Sequence, residues 1–315
     1  MINSKLNMKQ TNFERAIFLS WYCAKADCKF CYMSTQKNLI KDLRKARRRV
    51  ASVLAEAYLC KQLGWDIEFL SGGYDSYTTK ELLDLFKQIK KIYGKKLWLN
   101  IGNIKESDLK QFLPYIKGVC GAVEVINPKL HKKICPSKPI KDIESFFKLA
   151  DKYKLKKAMT TILGLGETIE DFQLLKEFIK KNSVDKITFY RLKPQKNTAF
   201  EKAKPITKNY YAKWVKLTRE NFQKLNIVVG SWLTHLDEIS LLLNSGADNF
   251  TKFPGIKLFN SKYAKQIEKE TKKAKRKMIG TLTKLPKINY ADLKFKKELK
   301  NQIIAQLEIY LKKMN

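Results

Sequence analysis

The sequence predicts an α/β protein whose strands form a full or nearly closed β/α barrel of the TIM type, followed by a C-terminal helical appendage. Short apolar runs alternate with longer amphipathic runs, and this order favours parallel strands joined by right-handed crossovers. About seven such units occupy roughly 240 residues, a length typical of a closed barrel. Helical segments alone follow residue 255, so we predict a barrel over residues 1–255 and a helical cap over residues 256–315.

Each predicted strand of the barrel is followed by a predicted helix. The strands are indicated by the runs "AIFLS", "DIEFLSGG", "KLWLNIG", "GVCGAVEVI", "AMTTILGLGE", "DKITFYRL" and "IVVGSWL". The first helix has apolar residues at helical spacing after Val50 and a stop at Gly64. The second begins with a capping box of Thr78 and Glu81. Because barrel chemistry takes place at the carboxyl ends of strands, residues that directly follow a strand are the candidate site residues.

The basic residues of the chain are mostly lysines. The chain has 315 residues and a formal net charge of +34, with 56 lysines and eight arginines. Proteins that recognise specific nucleic-acid sequences rely on arginine, whose planar guanidinium forms paired hydrogen bonds with bases and phosphates. The excess of lysine here therefore favours a solvated lysine-rich surface. The one dense basic stretch, residues 41–50, is either a phosphate site or one solvated helix face.

Composition also excludes two classes of protein. No apolar run reaches the roughly 20 residues of a membrane-spanning helix, and the N-terminal residues do not resemble a secretory signal. Six cysteines in a chain of this length do not indicate a disulfide framework. We therefore expect a cytoplasmic protein.

Three cysteines, Cys23, Cys28 and Cys31, follow the first predicted strand with the spacing C-x4-C-x2-C. Structural zinc commonly takes four protein ligands, and no fourth ligand is evident near this triplet. A 4Fe–4S cluster held by only three thiolates keeps one iron open for another ligand. The spacing alone leaves three readings: such a cluster, a three-ligand zinc site, or unrelated buried thiols.

The triplet and the aromatic residue after it resemble the radical S-adenosylmethionine (radical SAM) enzymes, although the usual spacing in that family is C-x3-C-x2-C. The resemblance implies that Cys23, Cys28 and Cys31 bind a 4Fe–4S cluster and that SAM chelates the open iron. It also implies that Tyr32 contacts the adenine of SAM.

Further motifs follow in the order of the family. Gly72 and Gly73 match the turn whose backbone binds the methionyl amine, with Tyr74 in place of the usual glutamate and Asp75 next. Glu124, after the fourth strand, matches a glutamate that contacts the ribose or methionyl group of SAM. The string "GLGET", residues 164–168, is typical of the biotin-synthase-like branch.

Arg191 follows the sixth predicted strand, and we expect it to clamp a carboxylate of the substrate or of SAM. The resemblance makes Glu124 and Arg191 the candidate catalytic residues. The other candidates for the barrel interior are polar residues on strands or at their ends: Asn100, Thr160, Thr161, Ser231 and Thr234, of which Asn100 and Thr161 are expected to bind SAM.

Within that branch, the chain looks most similar to the radical SAM proteins associated with the mono-iron hydrogenase of methanogens and its iron-guanylylpyridinol cofactor. The resemblance implies reductive cleavage of SAM to a 5′-deoxyadenosyl radical and action on a small-molecule precursor in cofactor biosynthesis. It also implies an electron donor such as ferredoxin or flavodoxin, an anaerobic setting and no membrane. Two alternatives stay open: a radical SAM enzyme that modifies RNA, and a zinc-stapled interaction protein without enzymatic activity.

Overall fold

The computed structural model describes residues 8–314 and has a barrel of eight parallel strands at its centre. A short strand β1 (Gln10–Asn12) precedes the barrel. The barrel strands are β2 (Glu14–Phe18), β3 (Asp66–Ser71), β4 (Leu97–Asn100), β5 (Ile116–Glu124), β6 (Lys156–Leu163), β7 (Lys186–Arg191), β8 (Asn226–Gly230) and β9 (Asn249–Thr251). They pair in chain order, and a bridge between Phe13 and Phe250 joins the first to the last. The predicted nearly closed barrel is confirmed.

Helices surround the barrel and connect its strands. They are α1 (Tyr32–Gln36), α2 (Val50–Leu63), α3 (Thr79–Tyr93), α4 (Glu106–Phe112), α5 (Pro128–Ile134), α6 (Ile140–Lys152), α7 (Phe172–Asn182), α8 (Lys208–Asn221), α9 (Ile239–Asn244), α10 (Lys262–Lys273) and α11 (Lys297–Met314). No helix among residues 8–314 is long and apolar enough to cross a membrane.

Local sequence signals explain several of these boundaries. Helix α3 begins at the predicted capping box, in which Thr78 and Glu81 bond each other's backbone N–H groups. Helix α2 ends before Gly64, as predicted. The basic stretch at residues 41–50 is not one helix face, however. It forms a 3-10 turn over Leu43–Ala46 and then an extended segment, and α2 begins only at its last residue.

Side chains fill the interior of the barrel at the end opposite the carboxyl ends of its strands. Phe69, Trp98, Cys120 and Ala158 form one buried cluster there. Lys186 lies 4.8 Å from the centre of the Phe69 ring and is ion-paired with a carboxylate at the start of β2. This packing fills one half of the barrel and confines any ligand to the carboxyl half.

The C-terminal segment packs on the barrel in three places. Helix α10 packs against α9, strand β10 (Lys277–Ile279) pairs with β1, and α11 packs against α2. The apolar stripe of α11 contacts the core, with Ile303 and Leu307 buried and Leu299 and Leu311 partly buried. The stripe therefore packs on the barrel as expected, while the proposed domain boundary at residue 255 stays a prediction.

Candidate active site

A cavity of about 1270 Å³ lies at the carboxyl ends of the barrel strands. Strand residues on its wall are Glu14, Arg15, Ala16, Phe18, Ser71, Asn100, Glu124, Thr160, Ile162, Tyr190, Arg191 and Thr251. The loop after β2 adds Cys31 and Tyr32, and the last turns of α11 add Tyr310 and Lys313. The cavity therefore collects side chains from both ends of the sequence at the edge of the barrel where catalysis is expected.

The cysteine loop is held against the glycine turn that follows β3. The Ala24 N–H donates to the Tyr74 carbonyl at 3.0 Å. A Cβ atom at Gly73 would lie 2.2 Å from the Tyr22 carbonyl oxygen and 2.3 Å from the Cys23 Cβ. Because no side chain fits in that gap, Gly73 lets the two motifs touch. The two predicted motifs thus form one structural unit.

The three motif cysteines are free thiols with different surroundings. A hydrogen bond from Cys135 lowers the pKa of Cys28, and the charge of Lys138 acts in the same direction, while burial opposes both. Burial raises the pKa of Cys31 to about 11. Cys31 also precedes α1 and lies on the cavity wall, so its thiol is the one nearest to a bound ligand there.

The donor set suits a 4Fe–4S cluster by its chemistry and its position. Three free thiols share one loop at the end of the first barrel strand, which is the number that keeps one iron open. Among residues 8–314, no three His, Cys, Asp or Glu side chains already stand together as a metal site. Thiolates bind a metal only after losing their protons, so cluster binding must include deprotonation of these cysteines.

Glu124 is the last residue of β5 and has a left-handed backbone, with φ of 66°. Its carboxylate accepts from the Thr160 hydroxyl at 3.3 Å and lies 3.5 Å from the Lys138 ammonium. Burial would lower the pKa of Lys138, but the carboxylate of Glu124 and the thiol of Cys28 raise it above its usual range. A fixed positive charge thus holds Glu124 at the cavity wall.

The remaining residues predicted to bind SAM lie around this point. Tyr32 is half exposed on the cavity wall, and Asn100 lies on the same wall at the end of β4. The Gly72 N–H donates to the Asn100 carbonyl at 3.0 Å. Tyr74 covers Gly102, and Asp75, with φ of 54°, turns the chain towards α3. Their contacts with SAM stay predictions.

Arg191 lines the cavity, but its guanidinium already bonds protein groups, and its contact with a ligand carboxylate stays a prediction. Its Nε donates to Glu238 at 3.2 Å, its Nη2 donates to the other oxygen of Glu238, and its Nη1 donates to the Ile206 carbonyl. Both side chains of the pair are fully buried. Arg191 therefore joins the segments after β7 and β8, and its planar fork is occupied by protein groups.

Three of the predicted interior residues, Thr161, Ser231 and Thr234, do not line the cavity. Side chains alternate along β6, so Thr160 and Ile162 line the cavity while Thr161 lies on the opposite side with the main core. Ser231 is buried and donates to Glu238 at 2.9 Å. Thr234 is exposed and bonds His235. Thr161 therefore lies on the face of β6 that points away from the cavity, and its contact with SAM stays a prediction.

The "GLGET" string forms a turn that satisfies its own polar groups. Glu167 accepts the N–H groups of Gly164 at 2.7 Å and Leu165 at 2.9 Å. Asp171 caps the following turn and accepts from the side chain of Asn127 at 2.8 Å. The motif therefore joins the loop after β6 to the loop after β5 and positions the segment that carries Glu124.

Two of the charged residues at or beside the cavity that the sequence analysis did not single out are Lys138 and Lys252. Lys138 lies in the loop after α5 and pairs with Glu124. Lys252 directly follows β9 and lines the cavity. Lys252 could have been predicted from the sequence, because it directly follows the strand-like run in "DNFTK". No local sequence pattern indicates that Lys138 is a partner of Glu124.

The Radical SAM superfamily model matches residues 22–179, half of the chain. The chain belongs to the radical SAM superfamily. The uncharacterized protein MJ0597 of Methanocaldococcus jannaschii is 42% identical over 96% of this chain and 89% of its own length. Methylornithine synthase (PylB) has a similar structure, with a TM-score of 0.67, 20% identity and coverage of 77% of this chain and 72% of its own. HydG, a maturase of the [FeFe]-hydrogenase, has a TM-score of 0.63 at 13% identity and covers 77% of this chain and 57% of its own.

Family membership makes this chain an enzyme, and a 4Fe–4S cluster and SAM are traits of the superfamily. The matched segment begins one residue before Cys23 and ends within α7, so it includes the cysteine loop, the glycine turn, Glu124 and "GLGET". In this radical SAM enzyme, Cys31, Tyr32, Asn100 and Glu124 line one cavity at the carboxyl edge of the barrel.

Proposed function

We propose that this radical SAM enzyme acts on a small organic precursor in cofactor biosynthesis, and that its product belongs to the route to the guanylylpyridinol cofactor of mono-iron hydrogenase. The observation that carries the proposal is the cavity. Its volume of about 1270 Å³ exceeds the ~300–1000 Å³ of ordinary ligand sites, so SAM and a second small molecule fit together. The pathway rests on the sequence motifs shared with the proteins of that hydrogenase.

The bound cluster and SAM together supply the hard chemistry, a reductive cleavage that yields a 5′-deoxyadenosyl radical. Cys23, Cys28 and Cys31 would hold the cluster, and the turn at Gly72 and Gly73 would present its backbone to the methionyl group. The tasks of the chain are to orient both molecules and to exclude solvent. A ferredoxin or flavodoxin would supply the electron in an anaerobic cell.

Glu124 would orient SAM through hydrogen bonds to its ribose or methionyl group. Two contacts prepare it for that role, the Lys138 ammonium at 3.5 Å and the Thr160 hydroxyl at 3.3 Å. The left-handed backbone of Glu124 is an unfavourable conformation that costs of order 1–3 kcal/mol. Residues held in such conformations are typical of functional sites. A carboxylate that is already paired and oriented loses little freedom when a ligand binds.

The end of α11 favours a small substrate. Tyr310 lies on the cavity wall, where its hydroxyl accepts from Arg48 at 3.0 Å. The basic stretch is also less available to a nucleic acid than its charge suggests. Arg47 is ion-paired with Glu81 at 2.7 Å and Arg48 with Glu56 at 2.6 Å. These contacts support a partly covered pocket for a metabolite in preference to an open groove for RNA.

Anaerobic reconstitution tests the cofactor assignment. We expect roughly four iron and four sulfide per chain in the wild-type protein, and loss of the cluster and of 5′-deoxyadenosine formation in Cys23→Ala, Cys28→Ala and Cys31→Ala. Cys135→Ala is the matched control, since its thiol contacts Cys28 but lies outside the motif. Loss of the cluster in that control would contradict the assignment of three ligands.

The substrate class is tested with the reconstituted enzyme and a reductant. A filtrate of small metabolites should stimulate SAM cleavage and yield a product that mass spectrometry detects only when enzyme, SAM and filtrate are combined. Stimulation by RNA or protein alone would contradict the proposal and support modification of a macromolecule.

A further inference from the structure

Lys252 is placed in the cavity by an unusual backbone. It directly follows β9 and has φ of 70°, a left-handed conformation that is uncommon for a lysine. Among the non-glycine residues with positive φ in the described chain, Glu124 and Lys252 are the two that line the cavity. Strained residues that persist at a cavity wall are typical of binding sites. The conformation of Lys252 therefore indicates a role other than packing.

The ammonium of Lys252 lies over two aromatic rings, those of Tyr190 and Phe18. Its Nζ lies 4.3 Å from the centre of the Tyr190 ring. A Cβ atom at Gly230 would come within 3.0 Å of the Lys252 Cγ and 2.5 Å of the Tyr190 ring, so Gly230 leaves the space in which these two side chains lie. In residues 8–314, no hydrogen-bond acceptor or carboxylate pairs with the Lys252 ammonium.

The nearest acidic group is already occupied. Glu68 is fully buried and accepts from the Tyr190 hydroxyl and from the Thr251 hydroxyl, each at 2.6 Å. Burial lowers the pKa of Lys252, and the more distant charges of Glu68 and Glu124 offset this only in part. A partly buried ammonium without a counter-ion carries a desolvation cost, and an anionic ligand would lower that cost.

The other cations around the cavity differ from Lys252. Arg15 and Arg48 are both paired with Glu56, Arg191 is paired with Glu238, and Lys193, Lys257 and Lys313 are exposed at the rim. Lys252 alone in this group combines a partly buried position with the lack of an ion pair in the described chain. We propose that Lys252 binds an anionic group, a carboxylate or a phosphate, of the small-molecule substrate. This inference rests on the function proposed above.

Anion binding by the anaerobically reconstituted enzyme tests the proposal directly. Isothermal titration with inorganic phosphate and with succinate, at constant ionic strength, uses the two candidate chemistries as probes. We expect at least one anion to bind the wild-type enzyme, with Kd raised at least tenfold in Lys252→Met and within about threefold of wild type in Lys252→Arg, which keeps the charge. Binding of only one probe assigns the group as a phosphate or a carboxylate.

Lys193→Met is the matched control, because Lys193 also lines the cavity and lies 4.9 Å from an aromatic ring centre, but is exposed. It should bind the anion as the wild type does. The proposal would be overturned if Lys193→Met and Lys252→Met raised the Kd for the anion equally. It would also be overturned if the wild type bound no anion. An equal loss of affinity for S-adenosylhomocysteine in Lys252→Met would overturn it too, since the anion would then be the carboxylate of SAM.

Thermal unfolding without ligand separates binding from structure. Removal of a partly buried, unpaired charge should raise the Tm of Lys252→Met by at least about 2 °C. A fall in Tm would mean that the lysine stabilises the fold and would overturn the proposal. If the wild-type protein takes up no cluster or fails to cleave SAM, the proposed function fails instead, whereas intact cleavage without anion binding refutes only the role of Lys252.

Discussion

Substitution of Gly73 by alanine tests whether contact between the glycine turn and the cysteine loop prepares the cluster site. The added Cβ would lie 2.2 Å from the Tyr22 carbonyl oxygen and 2.3 Å from the Cys23 Cβ. Carbon atoms in contact are normally about 3.5–4.0 Å apart, so the two segments must separate by more than about 1 Å. The obstructing atoms are backbone or directly attached to it, and no side-chain rotation relieves the clash. Overpacking of this kind costs typically about 1–3 kcal/mol.

Gly72→Ala is the matched control one residue away. Its added Cβ would meet the Ser76 Oγ at 3.5 Å, an ordinary contact. We expect Gly73→Ala to lower the iron and sulfide content after anaerobic reconstitution, because a displaced Cys23 cannot join the other two thiolates. Each 1.4 kcal/mol corresponds to a tenfold loss of affinity, so the expected loss is roughly five- to 150-fold. Equal cluster content in Gly73→Ala and Gly72→Ala would refute the reasoning.

Three further predictions concern stability, and thermal or denaturant unfolding of the cluster-free protein measures each of them. Arg191→Met should lower the free energy of unfolding by about 3–5 kcal/mol in the absence of ligand, because it leaves the charge of Glu238 buried and unpaired. An unchanged free energy of unfolding would contradict the buried ion pair. Burial alone would raise the pKa of Glu56, but the charges of Arg15 and Arg48 hold it below its usual value of 4.5. The ionised carboxylate therefore stabilises the fold fully above pH 4.5, and this stabilisation is lost as the pH falls below that value. Glu56→Gln should therefore be destabilised at pH 7 and approach the wild type in acid, and a constant gap would refute the linkage. Leu307→Ala should cost about 2–5 kcal/mol, whereas the exposed Ile309→Ala should cost less than about 0.5 kcal/mol; equal losses would contradict the packing of α11.

Sequence reasoning succeeded where the signal is local or periodic. The capping box at Thr78 and Glu81 depends on residues three apart, and strand–helix alternation determines the barrel. Because parallel strands end at one edge, the order of motifs along the chain was enough to place Cys31, Asn100 and Glu124 on one cavity wall. These inferences required no knowledge of which side chains touch.

Sequence reasoning did not foresee contacts that depend on a distant partner. Arg191 follows a strand as a ligand-binding arginine would, but Glu238, 47 positions later, occupies its fork. Thr161 is polar and at a strand end, yet a shift of one residue in an alternating strand decides which face it occupies. The contact between Cys28 and Cys135 likewise depends on how α5 packs, which no local pattern encodes.

The cavity wall divides into two parts that follow the order of the strands. The cysteine loop after β2, the glycine turn after β3, Asn100 and Glu124 occupy consecutive strand ends, so the residues expected to bind the cluster and SAM share one arc of the barrel. The arc from β7 to β9 has no such motif and contributes Tyr190 and Lys252. On that arc the carboxylate of Glu68 accepts hydrogen bonds from two hydroxyl groups, whereas the ammonium of Lys252 has no hydrogen-bond acceptor or carboxylate as a partner among the described residues. A radical formed on the first arc can reach only a molecule held within the same cavity. The second arc therefore has both the position and the unbalanced charge needed to hold a small anionic substrate there.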